Sequence, residues 1–331
     1  METVDLKDRK ILYQLDLDCR QSNTQIGKKV GLSRKVVDYR IKRMEEEGII
    51  TGYWTAIDTL RLGYYSIRVY INFLDVEPMI KKEILDYFSR HTNIWAILDV
   101  KGPIDLDVIF WVDDIYEFNR FWDKTLELYG KYFLTYTISI LTKATCLKKT
   151  YLLKDKLSSD RIFYITSCRG QPIQIDSADY QLLNEVVNNA RISLVELSQR
   201  MELSSQTLTY RLNNLLKKGV IQAFRVGINL KKIGLHNCSI DIYLKSHDKK
   251  KAIIDYFTKC PNVEYIMDMA IGWADIDAEL MVEKIDTLNE IVEDIDKKYP
   301  HAVRKSNFWM TKKVIKERWL PDMKPKNIIQ R

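Results

Sequence analysis

Five basic side chains and one acidic side chain share the outer face of a short helix that the sequence predicts from Ser33 to Met44. Val37, Ile41 and Met44 recur at helical spacing and would form its buried stripe. A short helix that is apolar inside and basic outside fits the major groove of duplex DNA. The residues expected to meet DNA are Ser33, Arg34, Lys35, Asp38, Tyr39, Arg40, Lys42 and Arg43.

Individual roles within this helix follow from side-chain chemistry. Arg34, Lys35 and Tyr39 are expected to face the bases, and Asp38 could accept a hydrogen bond from cytosine. Two alternatives stay open. Arg40 could contact phosphate or could form a salt bridge to the first helix of the domain, and Tyr39 could equally pack within the protein.

The stretches around this helix predict a helix-turn-helix that runs into a strand. Ser22 is a candidate N-cap of a preceding helix, and Gly31 supplies the permissive backbone of the tight turn. Gly48 would end the second helix, and the β-prone run 49–54 would form a wing strand. Because cap, turn, stop and strand follow in this order, DNA binding is favoured over a surface helix with a solvated charged face.

The same pattern returns 171 residues later without a gap over roughly seventy residues. Leu32-Ser33 becomes Leu203-Ser204, and Gly48-Ile49-Ile50 becomes Gly219-Val220-Ile221. After a one-residue slip, a Gly-x-x-Asp-x-Asp turn at 102–107 returns at 272–277. The chain is therefore a tandem duplication of one two-domain unit.

The second copy of the helix, 204–215, keeps the buried stripe but has a single positive charge, Arg211, where the first copy has a net +4. Glu202 replaces the turn glycine and is less favourable at positive φ. Phosphate contacts supply most non-specific affinity, so we expect weaker binding here, and a purely structural second wing stays open. Tyr210 could equally be a packing residue, and Arg211 a helix-bracing one. The candidate DNA contacts are Ser205, Gln206, Thr209, Tyr210, Arg211, Asn213 and Asn214.

After each helix-turn-helix the hydrophobic pattern changes to strands of period two interrupted by two helices. The order βαββαβ predicts a ferredoxin-like sandwich, so the expected fold class is α+β, with two winged helix-turn-helix domains alternating with two ferredoxin-like sandwich domains. The expected domains are 1–58, 64–152, 176–229 and 235–320, with a linker at 153–175.

The two glycine turns are candidate effector sites. A Gly turn exposes backbone amides to a carboxylate, and an Asp can bind an ammonium group, which matches an amino-acid ligand. An equal alternative is that Gly and Asp only shape a hairpin. The candidate effector residues are Gly102, Ile104, Asp105, Asp107, Gly272, Ala274, Asp275 and Asp277.

Composition bears on several classes of protein. The net charge of +7 permits an acidic partner without requiring one, and no apolar run is long enough to cross a bilayer. The five cysteines have no CxxC or metal-ligand spacing, which favours thiols in a reducing cytosol. No Ser/His/Asp order, phosphate loop or metal spacing indicates a catalytic site, a metal or a cofactor. We therefore expect a cytoplasmic protein that is not an enzyme.

The run LSxxxVxxRIxxMxxxGII, followed by a sandwich with GxxD, resembles the Lrp/AsnC family, the feast/famine regulators of bacteria and archaea. The resemblance covers nearly the whole chain, twice, and is that of a fused, double-length member. It implies sequence-specific transcriptional regulation on double-stranded DNA, dimerisation through the sandwich sheets, and an amino-acid effector near the GxxD turn. We expect the two sandwiches to pair within one chain as a pseudo-dimer, which could assemble further into homo-oligomers.

Sirohaem decarboxylases resemble the same two-domain plan, and a decarboxylase-like enzyme is the alternative function. Such a site needs basic and imidazole groups for the carboxylates of a tetrapyrrole. The turn at 101–107 reads KGPIDLD and lacks the His-and-Asn-Leu-Trp pattern of those enzymes. The histidines share no repeat position and are His91, His236, His247 and His301. A third alternative is an interaction adaptor in which neither wing binds DNA.

Overall fold

The structure is a computed structural model that describes residues 4–153, 160–168 and 171–321. Each half folds as a helix-turn-helix followed by a βαββαβ unit, so the predicted α+β class is confirmed. The elements of the first half are α1 (Leu6–Leu17), α2 (Asn23–Val30), α3 (Arg34–Glu46), β1 (Ile50–Ile57), β2 (Tyr65–Phe73), α4 (Pro78–Arg90), β3 (Ile94–Lys101), β4 (Leu106–Val112), α5 (Ile115–Tyr129) and β5 (Phe133–Leu147). After β6 (Ile162–Ser167), the second half contains α6 (Ser177–Val187), α7 (Leu194–Met201), α8 (Ser205–Lys217), β7 (Ile221–Ile228), β8 (His236–Leu244), α9 (Lys250–Lys259), β9 (Val263–Ile271), β10 (Ile276–Val282), α10 (Asp286–Lys298) and β11 (Val303–Glu317).

Local chemistry sets the boundaries of the helix-turn-helix. Asp5, Ser22 and Ser33 each accept a hydrogen bond from the backbone N–H three residues later, which caps α1, α2 and α3. Gly31 ends α2 at φ +68°, the left-handed conformation that the tight turn requires. In the second copy Glu202 adopts φ 55° at this position, so a residue with a Cβ occupies the strained conformation that the sequence comparison anticipated.

The strand expected to be a wing crosses to the other half of the chain. β1 pairs antiparallel with β7, and Trp54 lies opposite Arg225 in this two-stranded ribbon. A lone strand cannot satisfy its backbone hydrogen bonds, and the repeat supplies the equivalent strand of the second half to complete the ladder. The ribbon therefore joins the two helix-turn-helix domains.

The two sandwich sheets join edge to edge. Within each half the order is that of a ferredoxin-like sheet, β5-β2-β4-β3 and β11-β8-β10-β9. β5 also pairs with β9, and β11 also pairs with β3, so the strands form a closed ring of eight. Because the helices cover the outside of each sheet, the opposite faces point into the middle of this barrel.

The outer face of each sheet packs against its own two helices. Ile67, Val69 and Ile71 of β2 belong to the first core, and Cys238, Ile240 and Ile242 of β8 hold the equivalent places in the second. Residues at alternate positions point the other way, so the polar side chains of these strands are enclosed by the barrel.

The segment expected to be a linker contains the strand β6, which extends the sheet along the end of β5. Residues 154–159 and 169–170 of that segment lie outside the described part of the chain. The pairing of β6 with Lys143 to Leu147 ties the segment to the first sandwich.

Candidate DNA interface and interior charge cluster

The outer face of α3 separates into accessible and braced side chains. Arg34 keeps 73% of its side chain exposed and lies 3.5 Å from Asp38, while Tyr39 is 67% exposed. Lys35 and Lys42 are exposed as well. Since Val37, Ile41 and Met44 are buried on the opposite side, these side chains are presented to solvent together on one face of α3.

Arg40 and Arg43 point back to the first helix instead. Arg40 Nη1 lies 2.8 Å from carboxylate oxygens of both Asp5 and Asp8, and Arg43 Nη2 lies 2.5 Å from Asp8. The hydrogen bonds to Asp8 and Asp5 raise the pKa of Arg40. The two roles left open for Arg40 were a phosphate contact and a salt bridge to the first helix, and its contacts in the structure are those of the salt bridge.

The equivalent helix of the second half, α8, presents a neutral surface. Tyr210 is 72% exposed, and Arg211 Nη1 lies 2.9 Å from Asp176 and 2.6 Å from Asp179. Arg211 is thus braced in the same way as Arg40, and the helix has no other Arg or Lys before Lys217. Asn214 is half-buried. The exposed members of the candidate set are Ser205, Gln206, Thr209, Tyr210 and Asn213.

The two glycine turns lie where one half meets the other. A Cβ on Gly102 would come within 2.6 Å of Phe308 O, and a Cβ on Gly272 within 2.5 Å of Ile138 O. The backbone N–H of Trp273 donates to Ser139 Oγ at 2.7 Å. Glycine is therefore needed at both turns for close approach of the opposite sheet.

The aspartates of these turns already have partners inside the protein. Asp105 Oδ2 accepts a hydrogen bond from the backbone N–H of Phe73 at 2.9 Å, and Asp275 Oδ2 accepts from that of Leu244 at 2.7 Å. The neighbouring apolar residues are buried, Ile104 to 2% and Ala274 to 8% exposure. These contacts match the alternative in which the Gly and Asp residues only shape a hairpin. An effector site at the turns remains a prediction.

Asp107 and Asp277, the last residues of the two turn motifs, are buried inside the barrel. Both bind the guanidinium of Arg68, which is 4% exposed, and Asp277 Oδ2 lies 3.1 Å from Nη1. Asp241 lies in the same interior and accepts hydrogen bonds from the indole N–H groups of Trp273 at 2.6 Å and Trp309 at 3.1 Å. Burial raises the pKa of both Asp241 and Asp277.

The sequence indicated Asp107 and Asp277 as candidate effector residues, but it did not indicate Arg68 or Asp241 as part of a site. Arg68 and Asp241 occupy polar positions of alternating strands, which ordinarily face water. The signal that could have found them is their equivalence in the repeat. With the 171-residue offset, Arg68 corresponds to Ser239 and Tyr70 to Asp241. At both positions a charged residue in one copy corresponds to an uncharged residue in the other.

Between the β1–β7 ribbon and the nearer end of the barrel lies a cavity of about 540 Å³. Trp54, Trp95, Trp111 and Trp319 contribute to its wall. The described residues hold no group of three or more His, Cys, Asp or Glu side chains arranged for a metal ion. None of the helices in the described part of the chain has the length and apolar character that a bilayer crossing requires.

Comparisons with known proteins agree with the repeat. The family model described as winged helix-turn-helix DNA-binding matches residues 4–51 and again 175–222. The transcriptional regulator LrpA of Pyrococcus horikoshii is 31% identical over 111 residues, which cover 34% of this chain and 77% of LrpA. An uncharacterised HTH-type transcriptional regulator of Pyrococcus furiosus is 32% identical over 132 residues, which cover 39% of this chain and 86% of that protein.

A solved structure matches the whole chain. The siroheme decarboxylase NirDL superposes with a TM-score of 0.63 over 97% of this chain and 94% of NirDL, at 13% identity. At this identity the likeness is one of fold. It nevertheless overturns the expectation that the chain is not an enzyme, because an enzyme is built on the same full-length plan and the fold therefore excludes no catalytic function.

The matches to Lrp-type regulators extend over 111 and 132 residues, which is about the length of one two-domain unit. The helix-turn-helix family model matches once before the first sandwich and once after it. The chain therefore belongs to the Lrp/AsnC family of DNA-binding transcriptional regulators, as a tandem duplication of the family's two-domain unit.

Proposed function

We propose that this regulator contacts duplex DNA through α3 and α8, and that α3 supplies most of the affinity. The observation that carries the proposal is the division of the basic residues of α3. Arg40 and Arg43 are held by Asp5 and Asp8, whereas Arg34 has most of its side chain in solvent. Lys35 and Lys42 are exposed too, so three cations remain available for phosphates and base edges.

In this proposal α8 reads bases with little contribution from charge. Gln206 and Asn213 are exposed amides, and amides pair with adenine edges. Because Arg211 is engaged by Asp176 and Asp179, α8 contributes little phosphate binding of its own. The expected operator is an imperfect palindrome in which the half-site under α3 dominates.

The intrachain pseudo-dimer is part of the same proposal. The pairings β1–β7, β5–β9 and β3–β11 support it, since they join the halves as two subunits would otherwise be joined. Two-fold readers of this kind bind half-sites about one helical turn apart. We further propose that several chains associate into homo-oligomers. The protein would act on DNA in the cytoplasm.

An amino-acid effector at the two glycine turns is proposed in a restricted form. Asp105 and Asp275 each use one carboxylate oxygen for a backbone N–H. Asp275 Oδ1 lies 3.7 Å from His247 Nε2. A ligand ammonium would bind the second oxygen of either carboxylate, and binding would shift the equilibrium between arrangements of the two halves.

A decarboxylase-like enzyme is the second candidate, and the full-length likeness to NirDL favours it. The residues that line the interior cavity include none of the four histidines, while they include several carboxylates. A spectroscopic titration with an iron tetrapyrrole tests this candidate. A stoichiometric shift of the absorbance band would support the enzyme, and an unchanged spectrum would count against it.

The first experiment on the proposed function is a titration of the protein with genomic DNA fragments at several salt concentrations. Tight, fragment-selective binding that weakens steeply with salt is expected. Arg34→Ala together with Lys35→Ala should weaken it and lower the salt slope by about 2, or about 0.9 per lost phosphate contact. Equal affinity and slope in this variant would contradict the assignment of α3.

A further inference from the structure

The cavity between the ribbon and the barrel is a candidate ligand site separate from the DNA surface. Its volume of about 540 Å³ falls in the range of small-molecule sites. Trp54 and Trp319 stack in its wall with centroids 3.8 Å apart, and Trp95 and Trp111 stack at 5.7 Å. The wall therefore combines aromatic faces with the polar ends of the barrel strands.

Both cations that line the cavity are already neutralised. Arg68 binds Asp107 and Asp277 deeper in the barrel. Lys149 Nζ lies 3.2 Å from Glu264, and it also lies 3.5 Å from Asp16. Neither cation is left for an anionic ligand.

Two other lining carboxylates, Glu279 and Glu317, have no direct salt bridge in the described part of the chain. Glu279 Oε1 accepts a hydrogen bond from Asn237 Nδ2 at 2.7 Å, and neither Glu279 nor Glu317 lies within 4 Å of a basic side chain in the described part of the chain. Burial raises the pKa of Glu279 to about 7, and the charge of Glu264 adds to the effect. Glu279 is half-buried and Glu317 is exposed at the cavity wall. A carboxylate that is partly withdrawn from water and has no salt-bridge partner is stabilised by a bound cation.

Ser66 supplies a separate indication that a polar group belongs here. Its side chain lines the cavity and is only 5% exposed, yet Oγ has no hydrogen-bond partner. Buried hydroxyls are normally paired, and an unpaired one costs free energy. An N–H donor of a ligand in the cavity would satisfy it.

We propose that the cavity binds an aliphatic polyamine. Ammonium groups would bind Glu279 and Glu317, and the methylene segments would pack on the tryptophans, whose faces attract cations. Amino acids and tetrapyrroles carry carboxylates that would lie against the carboxylates of Glu279 and Glu317. A polyamine carries only positive charge and apolar carbon, which is the complement of this wall.

Calorimetric titration of the DNA-free protein with spermidine tests the proposal. One molecule per chain is expected to bind. Glu279→Gln, which can keep the bond to Asn237, should weaken binding about tenfold, since a charge-assisted hydrogen bond is lost. The matched control is Glu293→Gln, an exposed carboxylate of α10 that pairs with Lys297, and it should bind like the wild type.

A second measurement needs only the wild-type protein. Glu279 must be ionised to hold an ammonium group, so affinity should rise about tenfold from pH 6 to pH 8 as a group of pKa about 7 loses its proton. The spermidine charge changes little in this interval. The groups that face Glu279 are Arg68 of β2, Asn237 of β8, Glu264 and Tyr265 of β9, and Asp277 of its own strand.

Three results would overturn the proposal: no spermidine binding at pH 8, unchanged affinity in a folded Glu279→Gln and Glu317→Gln double variant, or tighter binding of L-lysine or an iron tetrapyrrole than of spermidine. If the double variant fails to fold, an affinity independent of pH in the wild type overturns it equally. None of these readouts involves DNA, so they do not depend on the proposed DNA contacts.

Discussion

Asp107 and Asp277 occupy equivalent positions of the two repeats and share a single guanidinium, that of Arg68. The residue equivalent to Arg68 in the second half is Ser239, so the interior has lost the symmetry of the duplication. Both carboxylates are fully buried, and the pseudo-symmetric pair is held by one cation from the first half. The barrel interior is therefore a joint product of the two repeats.

Removal of this guanidinium should weaken folding in a pH-dependent way. Arg68→Met leaves two buried carboxylates without a cation beside them, and we expect a loss of about 3–5 kcal/mol in the free energy of unfolding at pH 8. At pH 5 the loss should be smaller, because the aspartates then take up protons. Urea unfolding at both pH values measures this. The control is Arg304→Met at an exposed position, and an equal loss at both pH values would contradict the prediction.

The wild-type protein should become less stable as the pH rises from about 4 towards 8. Burial raises the pKa of Asp241 above the value of about 3.9 for an unfolded Asp. The folded state thus binds more protons than the unfolded state in this interval, so the free energy of unfolding falls with pH. Asp241→Asn keeps an acceptor for Trp273 and Trp309 and should flatten the dependence. Calorimetric melting at several pH values would detect it, and a variant curve as steep as the wild type would refute the assignment.

Gly272→Ala should loosen the contact between the halves. A new Cβ would lie 2.5 Å from Ile138 O, and overpacking of this kind costs about 1–3 kcal/mol in addition to the strain at φ +114°. The control is Gly234→Ala, where φ is +76° but nothing lies within 4 Å, so that only about 1–2 kcal/mol of strain is expected. Chemical denaturation separates the two, and equal losses would argue against the close approach.

Arg34→Ala should affect DNA affinity, whereas Arg40→Ala should affect stability. Arg34 is exposed, so its loss should reduce DNA affinity and leave the melting temperature unchanged. Arg40 braces Asp5 and Asp8, so its loss should lower stability by about 1–3 kcal/mol and leave DNA affinity nearly intact below the melting range. Thermal melting and a fluorescence-anisotropy titration check the pair. A larger affinity loss for Arg40→Ala would reverse the roles.

Local patterns were sufficient to predict the elements of both repeats. The recognition helix expected at 33–44 is Arg34–Glu46 with Ser33 as its N-cap, because capping and the spacing of Val37, Ile41 and Met44 are properties of neighbouring residues. The βαββαβ order follows from the alternation of the strands in the same way. The salt bridges of Arg40 and Arg211 to the first helix were an open alternative that the side-chain contacts match.

Pairing between distant segments could not be predicted from such patterns. Nothing in the run 49–54 indicates that β1 pairs with β7, since the partner lies in the other repeat. For the same reason the alternating pattern of β2 does not indicate that closure of the barrel encloses Arg68. The strand β6 escaped notice because its surroundings are charged and rich in turn residues.

Joining the two helix-turn-helix domains in one chain through the β1–β7 ribbon keeps α3 and α8 at a one-to-one ratio at every expression level. In a homodimer any substitution appears twice, so both half-sites must change together. Here Ser205 and Gln206 stand where the first repeat has Arg34 and Lys35. With the DNA contacts proposed for α3 and α8, each half of the operator would evolve with its own helix, as in a heterodimer that cannot form with the wrong partner.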